Sequence, residues 1–149
     1  MFFRKSPVLD DGEIHLKYVS KYKDREPQGW GMSYIYDVIV NDSNRIVGRC
    51  DLRIGETETL ALAGHIGYTI YMPYRGHHFA TKATKLLFKQ AKFFKMKRVI
   101  VTCNTDNIAS FRTCELAGCV FEKIVPVPRD HVLYWQGDRE KAIFTKDLE

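Results

Sequence analysis

The order of apolar and polar positions changes its period partway along the chain. In the first half it suits strands. Ile14 to Tyr18 alternates apolar with polar residues; Ser33 to Val40 is aromatic and β-branched; Ile46 to Ile54 follows Asn41-Asp42-Ser43-Asn44, a turn-forming cluster that predicts a hairpin between the last two. A fourth strand, Gly64 to Tyr71, should stop at Met72-Pro73, because proline removes a ladder donor and holds its predecessor extended. From Phe79 the spacing becomes helical: Phe79, Ala83, Leu86, Leu87, Gln90, Ala91 and Phe94 form one face, with Lys82, Lys85, Lys89 and Lys92 on the other. This predicts a helix of about five turns.

Arg98 to Cys103 is a short run with a continuously apolar centre, of the kind that suits a strand covered on both faces, and strand, helix, strand implies parallel pairing. A shorter helix from about Asn107 to Ala117 is bracketed by Asp106 or Asn107 as N-cap and Gly118 as stop. Val120 to Val125 and Ala142 to Lys146 add two strands, and Pro126 to Glu140, with Tyr134 and Trp135, reads as a long ordered loop of the kind that often carries function. The class expected is α/β (α+β), with a mixed sheet of six to seven strands flanked by helices, in one domain over residues 1–149.

Composition narrows this further. An apolar fraction of 45% excludes a disordered chain, and no apolar run is long enough to span a membrane. The opening Met1-Phe2-Phe3-Arg4-Lys5 lacks the apolar stretch of a secretory signal, so a cytoplasmic protein is expected. Cys50, Cys103, Cys114 and Cys119 have neither Cys-x-x-Cys nor zinc-like spacing and read as buried thiols. The formal charge of +5 is concentrated: Arg75 to Arg98 holds eight basic residues and no acid, and the 15 basic residues elsewhere are outnumbered by 18 acids. A solvated helix face accounts for such a row more simply than nucleic acid does, because no aromatic interleaves with the lysines.

The stretch Ile70-Tyr71-Met72-Pro73-Tyr74-Arg75-Gly76-His77-His78-Phe79-Ala80 runs from strand through a tight turn into a helix. A helix start exposes unpaired N–H groups at the positive end of its dipole, which suits a phosphate or pyrophosphate. Gly76 permits close backbone approach and Arg75 adds a permanent charge. An ordinary strand–helix junction with a solvated arginine is the competing account. The turn is neither a Gly-Lys-Ser/Thr phosphate loop nor Gly-x-Gly-x-x-Gly, which argues against nucleotide hydrolysis and dinucleotide redox chemistry. His77-His78 invites a metal, but adjacent residues at a helix start diverge and no third ligand is spaced to join them, so no metal is expected.

These residues resemble the Gcn5-related N-acetyltransferase (GNAT) family, whose pyrophosphate loop reads Arg/Gln-x-x-Gly-x-Gly/Ala after a strand ending in a Pro-x-Tyr-type turn. Arg75 and Ala80 match its ends, and His78 replaces its central glycine. A second match is Asn107-Ile108-Ala109-Ser110 through Glu115-Leu116-Ala117-Gly118, similar to the family's Asn-containing helix after the fifth strand. Cys119 stands at the family's aromatic position and Cys114 where many members carry a tyrosine, while the first 40 residues lack the usual opening helix pair.

The resemblance implies acetyl-coenzyme A as cosubstrate, held where strands four and five splay into a V. Pantetheine would pair with Ile70, Tyr71 and Met72, and the pyrophosphate would lie on the amides of Arg75, Gly76, His77, His78, Phe79, Ala80 and Thr81. Asn104, Asn107 and Ser110 would lie beside the thioester or pantetheine, with Arg112 and Thr113 nearer the adenine end. Acetyl transfer to an amine needs a neutral nucleophile, donors for the oxyanion and a proton for the thiolate. His65 is the base expected, ahead of Asp51 and Glu115, and Cys114 and Ser110 are the candidate acids. The implied reaction is direct attack in a ternary complex by a primary amine on a small molecule or peptide, without nucleic acid or membrane; an inactive coenzyme-A-binding or nucleic-acid-binding module is the alternative. Homodimerisation through a strand or helix edge is compatible with the sequence without being dictated by it.

Overall fold

The computed structural model describes residues 6–23 and 29–149; the first five residues, on which the absence of a signal was argued, lie outside it. Three strands come first: β1 (Ile14–Tyr22), β2 (Met32–Val40) and β3 (Arg45–Ile54). The Asn41–Asn44 cluster makes the β2–β3 hairpin as expected, with Asn44 in the left-handed region at φ 54° and its N–H donating to Val40 O at 2.8 Å. β1 runs four residues beyond the alternating segment because Ser20, Lys21 and Tyr22 pair with β2 past a bulge after Tyr18. Tertiary pairing extends a strand there that side-chain pattern alone ends early.

A helix absent from the sequence reading, α1 (Glu58–Ala63), follows β3. Six residues are too few to show a helical period, yet its signals are present: Thr57 Oγ1 accepts from Leu60 N–H at 3.2 Å, Glu58 lies in the first turn, and Gly64 ends it at φ 80°. β4 (Ile66–Ile70) is shorter than expected, since Gly64 and His65 belong to the turn into it and Met72–Tyr74 is a single 3-10 turn. α2 (Phe79–Phe93) then buries Phe79, Ala83, Leu86, Leu87, Gln90 and Ala91, the face the spacing predicts. β5 (Arg98–Asn104), α3 (Ile108–Leu116), β6 (Val120–Pro126), α4 (Val132–Trp135) and β7 (Glu140–Asp147) complete the chain. α4 lies inside the expected loop and is capped by His131, whose Nδ1 accepts from Leu133 N–H at 3.1 Å.

The strands form two antiparallel sheets, ordered β1-β2-β3-β4 and β5-β7-β6. α2 lies against β1, β3 and β4, and the main core joins Ile14, Val38, Val47 and Leu52 of the first sheet to Leu86 and Leu87 of α2 and Val99, Val101 and Phe144 of the second. The parallel ladder expected between β4 and β5 is not formed, and β5 is an edge strand: Val99, Val101 and Cys103 are buried while Ile100, Thr102 and Asn104 are only partly covered. The V-shaped parting of strands four and five therefore lies between two sheets.

Candidate active site

The parting begins at His65, the residue before β4. Its N–H donates to Ile100 O at 2.7 Å, its Nδ1 accepts from Ile100 N–H at 2.9 Å, and its Nε2 donates to Gly55 O at 3.1 Å. Both ring nitrogens are committed and the side chain is 2% exposed, so burial holds the imidazole below its ordinary pKa and keeps it neutral. His65 is thus a joint between the sheets, and it offers no nitrogen to a substrate: the base expected from sequence is replaced by a hydrogen-bonded structural histidine. Gly64 lets the joint close, since a Cβ there would meet Ile100 O at 3.0 Å and Thr102 N at 3.1 Å.

Beyond the joint a cleft of about 480 Å³ opens between β4 and α3, lined by Tyr68, Thr69 and Ile70 on one side and by Asn107, Ser110, Arg112 and Thr113 on the other. Its end is the start of α2. The N–H groups of Phe79, Ala80 and Thr81 lie ahead of the first intrahelical bond, from Lys82 N–H to His78 O at 3.1 Å. No side chain caps them, whereas Thr57, Asn107 and His131 cap α1, α3 and α4. His78, at the family's glycine position, takes the left-handed conformation at φ 61° that glycine would supply, and its side chain is exposed. The loop thereby keeps its shape. Gly76, at φ 91°, has open space around it.

Arg75 folds back, its Nε donating to Ile70 O at 2.9 Å at the end of β4. This alters the strand edge expected to hold pantetheine. Ile70 lines the cleft with its carbonyl already engaged, while Tyr71 donates its N–H to Val47 O of β3 at 2.8 Å and, like Met72, lies outside the cleft lining. His77 also stays outside, its ring centroid 5.4 Å from that of Phe79.

The residue that sequence reasoning missed is Tyr68. Its hydroxyl meets Ser110 Oγ at 2.5 Å across the parting, and burial pushes the phenol up to about 12. Strand alternation put Tyr68 on the same face as Ile66 and Ile70, and that signal says nothing about which element it meets. α3 holds the other half: Asn107 Oδ1 accepts from Ser110 N–H at 3.1 Å and fixes the first turn. Cys114, expected near the reacting centre, is a fully buried free thiol, hydrogen-bonded to the free thiol of Cys103 and absent from the cleft lining. That hydrogen bond and burial raise the Cys114 thiol far above its ordinary range, so it is no proton donor for a thiolate; Cys103, lowered chiefly by the same hydrogen bond, lines a second cavity.

A second chamber, about 310 Å³, shares Tyr68, Asn107 and Ser110 with the cleft and continues past them. Arg53 crosses its wall, donating from Nε to Asp51 at 2.7 Å and from Nη1 to Ala63 O and Gly64 O at 3.1 and 3.2 Å, with its guanidinium 5.1 Å from the Trp30 ring centre. Gly67 leaves the space this pair fills, since a Cβ there would collide with Arg53 Nη2 and Asp51 Oδ1. Opposite them Lys141 pairs with Asp138 at 3.1 Å, and Asn104 Nδ2 donates to the same carboxylate at 3.0 Å, so Asn104 belongs to this chamber and not to the cleft. Leu133 and Gln136 line it, while Trp135 is 78% exposed and Tyr134 lies beneath the Arg139 guanidinium at 3.8 Å. Glu115 is exposed and lines neither cavity. Among the described residues no group of three His, Cys, Asp or Glu side chains could hold a metal ion, and no helix is long and apolar enough to cross a membrane.

Two antiparallel sheets parted at their facing edges, with an uncapped helix start at one end of the gap and a polar chamber at the other, define a splayed α/β fold. The chain belongs to the acetyltransferase (GNAT) domain family, whose model matches residues 3–120. Among solved structures it is similar to a GNAT-family acetyltransferase from Bacillus anthracis, with a TM-score of 0.61 and 21% identity over 76% of this chain and 66% of that one. The microcin C7 self-immunity acetyltransferase, solved with acetyl-CoA and AMP, matches with a TM-score of 0.58 and 19% identity over 77% of this chain and 61% of that one. A Salmonella typhimurium acetyltransferase that modifies the N-terminal serine of a 50S ribosomal subunit protein matches with a TM-score of 0.60 and 16% identity over 78% and 64%. These likenesses establish the fold, and this chain spans only about three fifths to two thirds of the length of those proteins. Curated protein sequences give no match.

Proposed function

We propose that this chain binds acetyl-coenzyme A in the cleft and transfers the acetyl group to a primary amine presented in the second chamber. The observation that carries the reading is the uncapped start of α2: three N–H donors, the positive end of a 15-residue helix and Arg75 lie at one end of a cleft of about 480 Å³. A pyrophosphate fits that donor set, and the acetyl-CoA bound to the microcin relative supports the identity of the ligand. Arg112 and Thr113 flank the outer cleft, and Tyr68, Asn107 and Ser110 mark where it meets the chamber.

At that meeting point the amine nitrogen bonds to the thioester carbonyl carbon, the carbon–sulfur bond breaks, and the nitrogen loses a proton while sulfur gains one. Tyr68, with its phenol near 12, keeps its proton at neutral pH, and a thiolate of ordinary basicity, about 8.5, is too weak to remove it. The Tyr68–Ser110 pair therefore serves as a hydrogen-bond donor to the charge that develops, and the amine supplies the proton the thiol finally carries. Among the described residues no imidazole lines the chamber, and the Asp51 and Asp138 carboxylates are paired with Arg53 and Lys141. The amine reacts as the neutral species that solvent delivers, with proximity providing much of the rate.

The test is thiol release from acetyl-coenzyme A across a panel of amines, with coenzyme binding measured separately by calorimetry. Arg75→Ala should weaken coenzyme binding about tenfold or more, as expected for loss of a charge-assisted contact, and Lys92→Ala should leave it unchanged. Coenzyme binding without release for any amine would leave a binding module in place of an enzyme. Equal losses for the two variants would return the cleft arginine to an ordinary surface role.

A further inference from the structure

β6 closes the β5-β7-β6 sheet and, among the described residues, has no strand on its outer edge. Exposed edges invite pairing, and proteins commonly blunt them with charge, proline or bulges. This one keeps apolar side chains in solvent: Val120, Phe121 and Ile124 are 65%, 49% and 50% exposed. The strand reads Val-Phe-Glu-Lys-Ile-Val, apolar, apolar, acid, base, apolar, apolar, so reversing it exchanges only the signs at its centre.

In a regular strand that symmetry would be useless. Two copies paired antiparallel about a two-fold axis normal to the sheet must set residues of the same face opposite one another, and strict alternation puts Glu122 and Lys123 on opposite faces. The bulge in β6 removes the conflict. Pairing with β7 steps from Phe121↔Phe144 to Lys123↔Ile143, after Val120↔Thr145 and before Ile124↔Ala142 and Val125↔Lys141. Because paired residues share a face, Phe121 and Ile124 lie on the face of Phe144 and Ala142, while Val120, Lys123 and Val125 lie on that of Thr145, Ile143 and Lys141. Glu122 joins the second face, where its Oε1 accepts from Thr145 Oγ1 at 3.1 Å. The order of faces is thus symmetrical about the Glu122–Lys123 bond, as the order of residue classes is.

We propose that a second copy of this chain docks antiparallel on β6, with the two-fold axis at the Glu122–Lys123 peptide. Glu122 then faces the partner's Lys123, Phe121 the partner's Ile124 and Val120 the partner's Val125, each pair occurring twice, and the two three-stranded sheets join as one of six. The bulge that would twist this edge away from an unrelated strand is present in both copies, so the two edges twist alike. Pro126, which has no N–H, ends the contact after six residues. So short an interface supports a concentration-dependent dimer and not an obligate one.

The experiment is sedimentation equilibrium from low micromolar to near-millimolar chain, on the unaltered protein, Glu122→Lys, Lys123→Glu, and the double exchange Glu122→Lys/Lys123→Glu. Each single change opposes like charges twice per dimer and should weaken association about tenfold, while the double change restores opposite charges and should recover it to within about threefold. Ile124→Lys, at a half-exposed position, should also abolish association, and near-ultraviolet circular dichroism reports whether each variant keeps its fold. A protein monomeric at every concentration overturns the proposal. So does a dimer indifferent to the single charge changes, or one that the double exchange fails to restore.

Discussion

Tyr68 touches both cavities at once, and its hydroxyl is the shortest link between the first sheet and α3 at the parting. Its high pKa is the consequence of burial, partly offset by the bond to Ser110, so the phenol is a fixed neutral donor over the whole working range. Tyr68→Phe keeps the ring and removes only the donor. Under the acetyl-transfer reading this variant should lose about a hundredfold in kcat, while coenzyme affinity measured by calorimetry changes by less than about threefold. A loss of affinity with kcat preserved would place Tyr68 in ligand binding alone. The motif led to Cys114, on the buried side of α3 one turn after Ser110, where the same helix that presents Ser110 to the cleft turns its thiol inward.

At the scale of elements, the chain gives its two cleft-forming helices opposite treatment. α3 begins with an internal cap and α2 with none, although α2 is the longer helix and has more to gain from one. Asn107→Ala should therefore cost about 1 kcal/mol, a fall of about 3 °C in the thermal midpoint, and should loosen the turn that carries Ser110. An unchanged midpoint would mean that tertiary contacts hold this turn without the cap. The basic run from Arg75 to Arg98 also divides by element: Arg75 lies at the cleft, Lys82 ties α2 to Asp11 and Glu13 at 3.5 and 3.0 Å, and Lys85, Lys89 and Lys92 are exposed, with no ion pair among the described residues. The lysine row is mostly a solvated face, as its even spacing implies.

For the whole molecule the decisive feature is how the two sheets meet. They share one core with α2 and are joined at His65, whose backbone and ring both bond to Ile100. Burial lowers the folded pKa of this imidazole below the ordinary 6.5. The unfolded chain takes up a proton near that value and the folded chain only at lower pH, so unfolding binds a proton in between, and stability falls as pH falls through about 6.5. Chemical unfolding at about pH 7.5 and 5.5 should show this decline in the unaltered protein and a smaller one in His65→Gln, itself less stable at the higher pH. An equal decline in both would assign the effect to other groups.

Much of this was written locally. Alternation marked the start of β1, aromatic and β-branched residues marked β2, the Asn41–Asn44 turn marked the entry to β3, helical spacing marked the buried face of α2, and Asn107 with Gly118 marked the limits of α3, because periodicity, turns and capping involve residues within a few positions of one another. The strand–turn–helix passage around Arg75 and Gly76 and the family resemblance were legible for the same reason. What needed the tertiary structure was every relation between distant segments: that β4 and β5 part without a ladder, that His65 spends both nitrogens on backbone, that Tyr68 reaches Ser110 from 42 residues away, and that Cys114 faces inward. A residue's type and spacing fix which face of its own element it occupies, but what lies against that face depends on how the sheets and helices come together, and the chemistry of a cleft belongs to that second step.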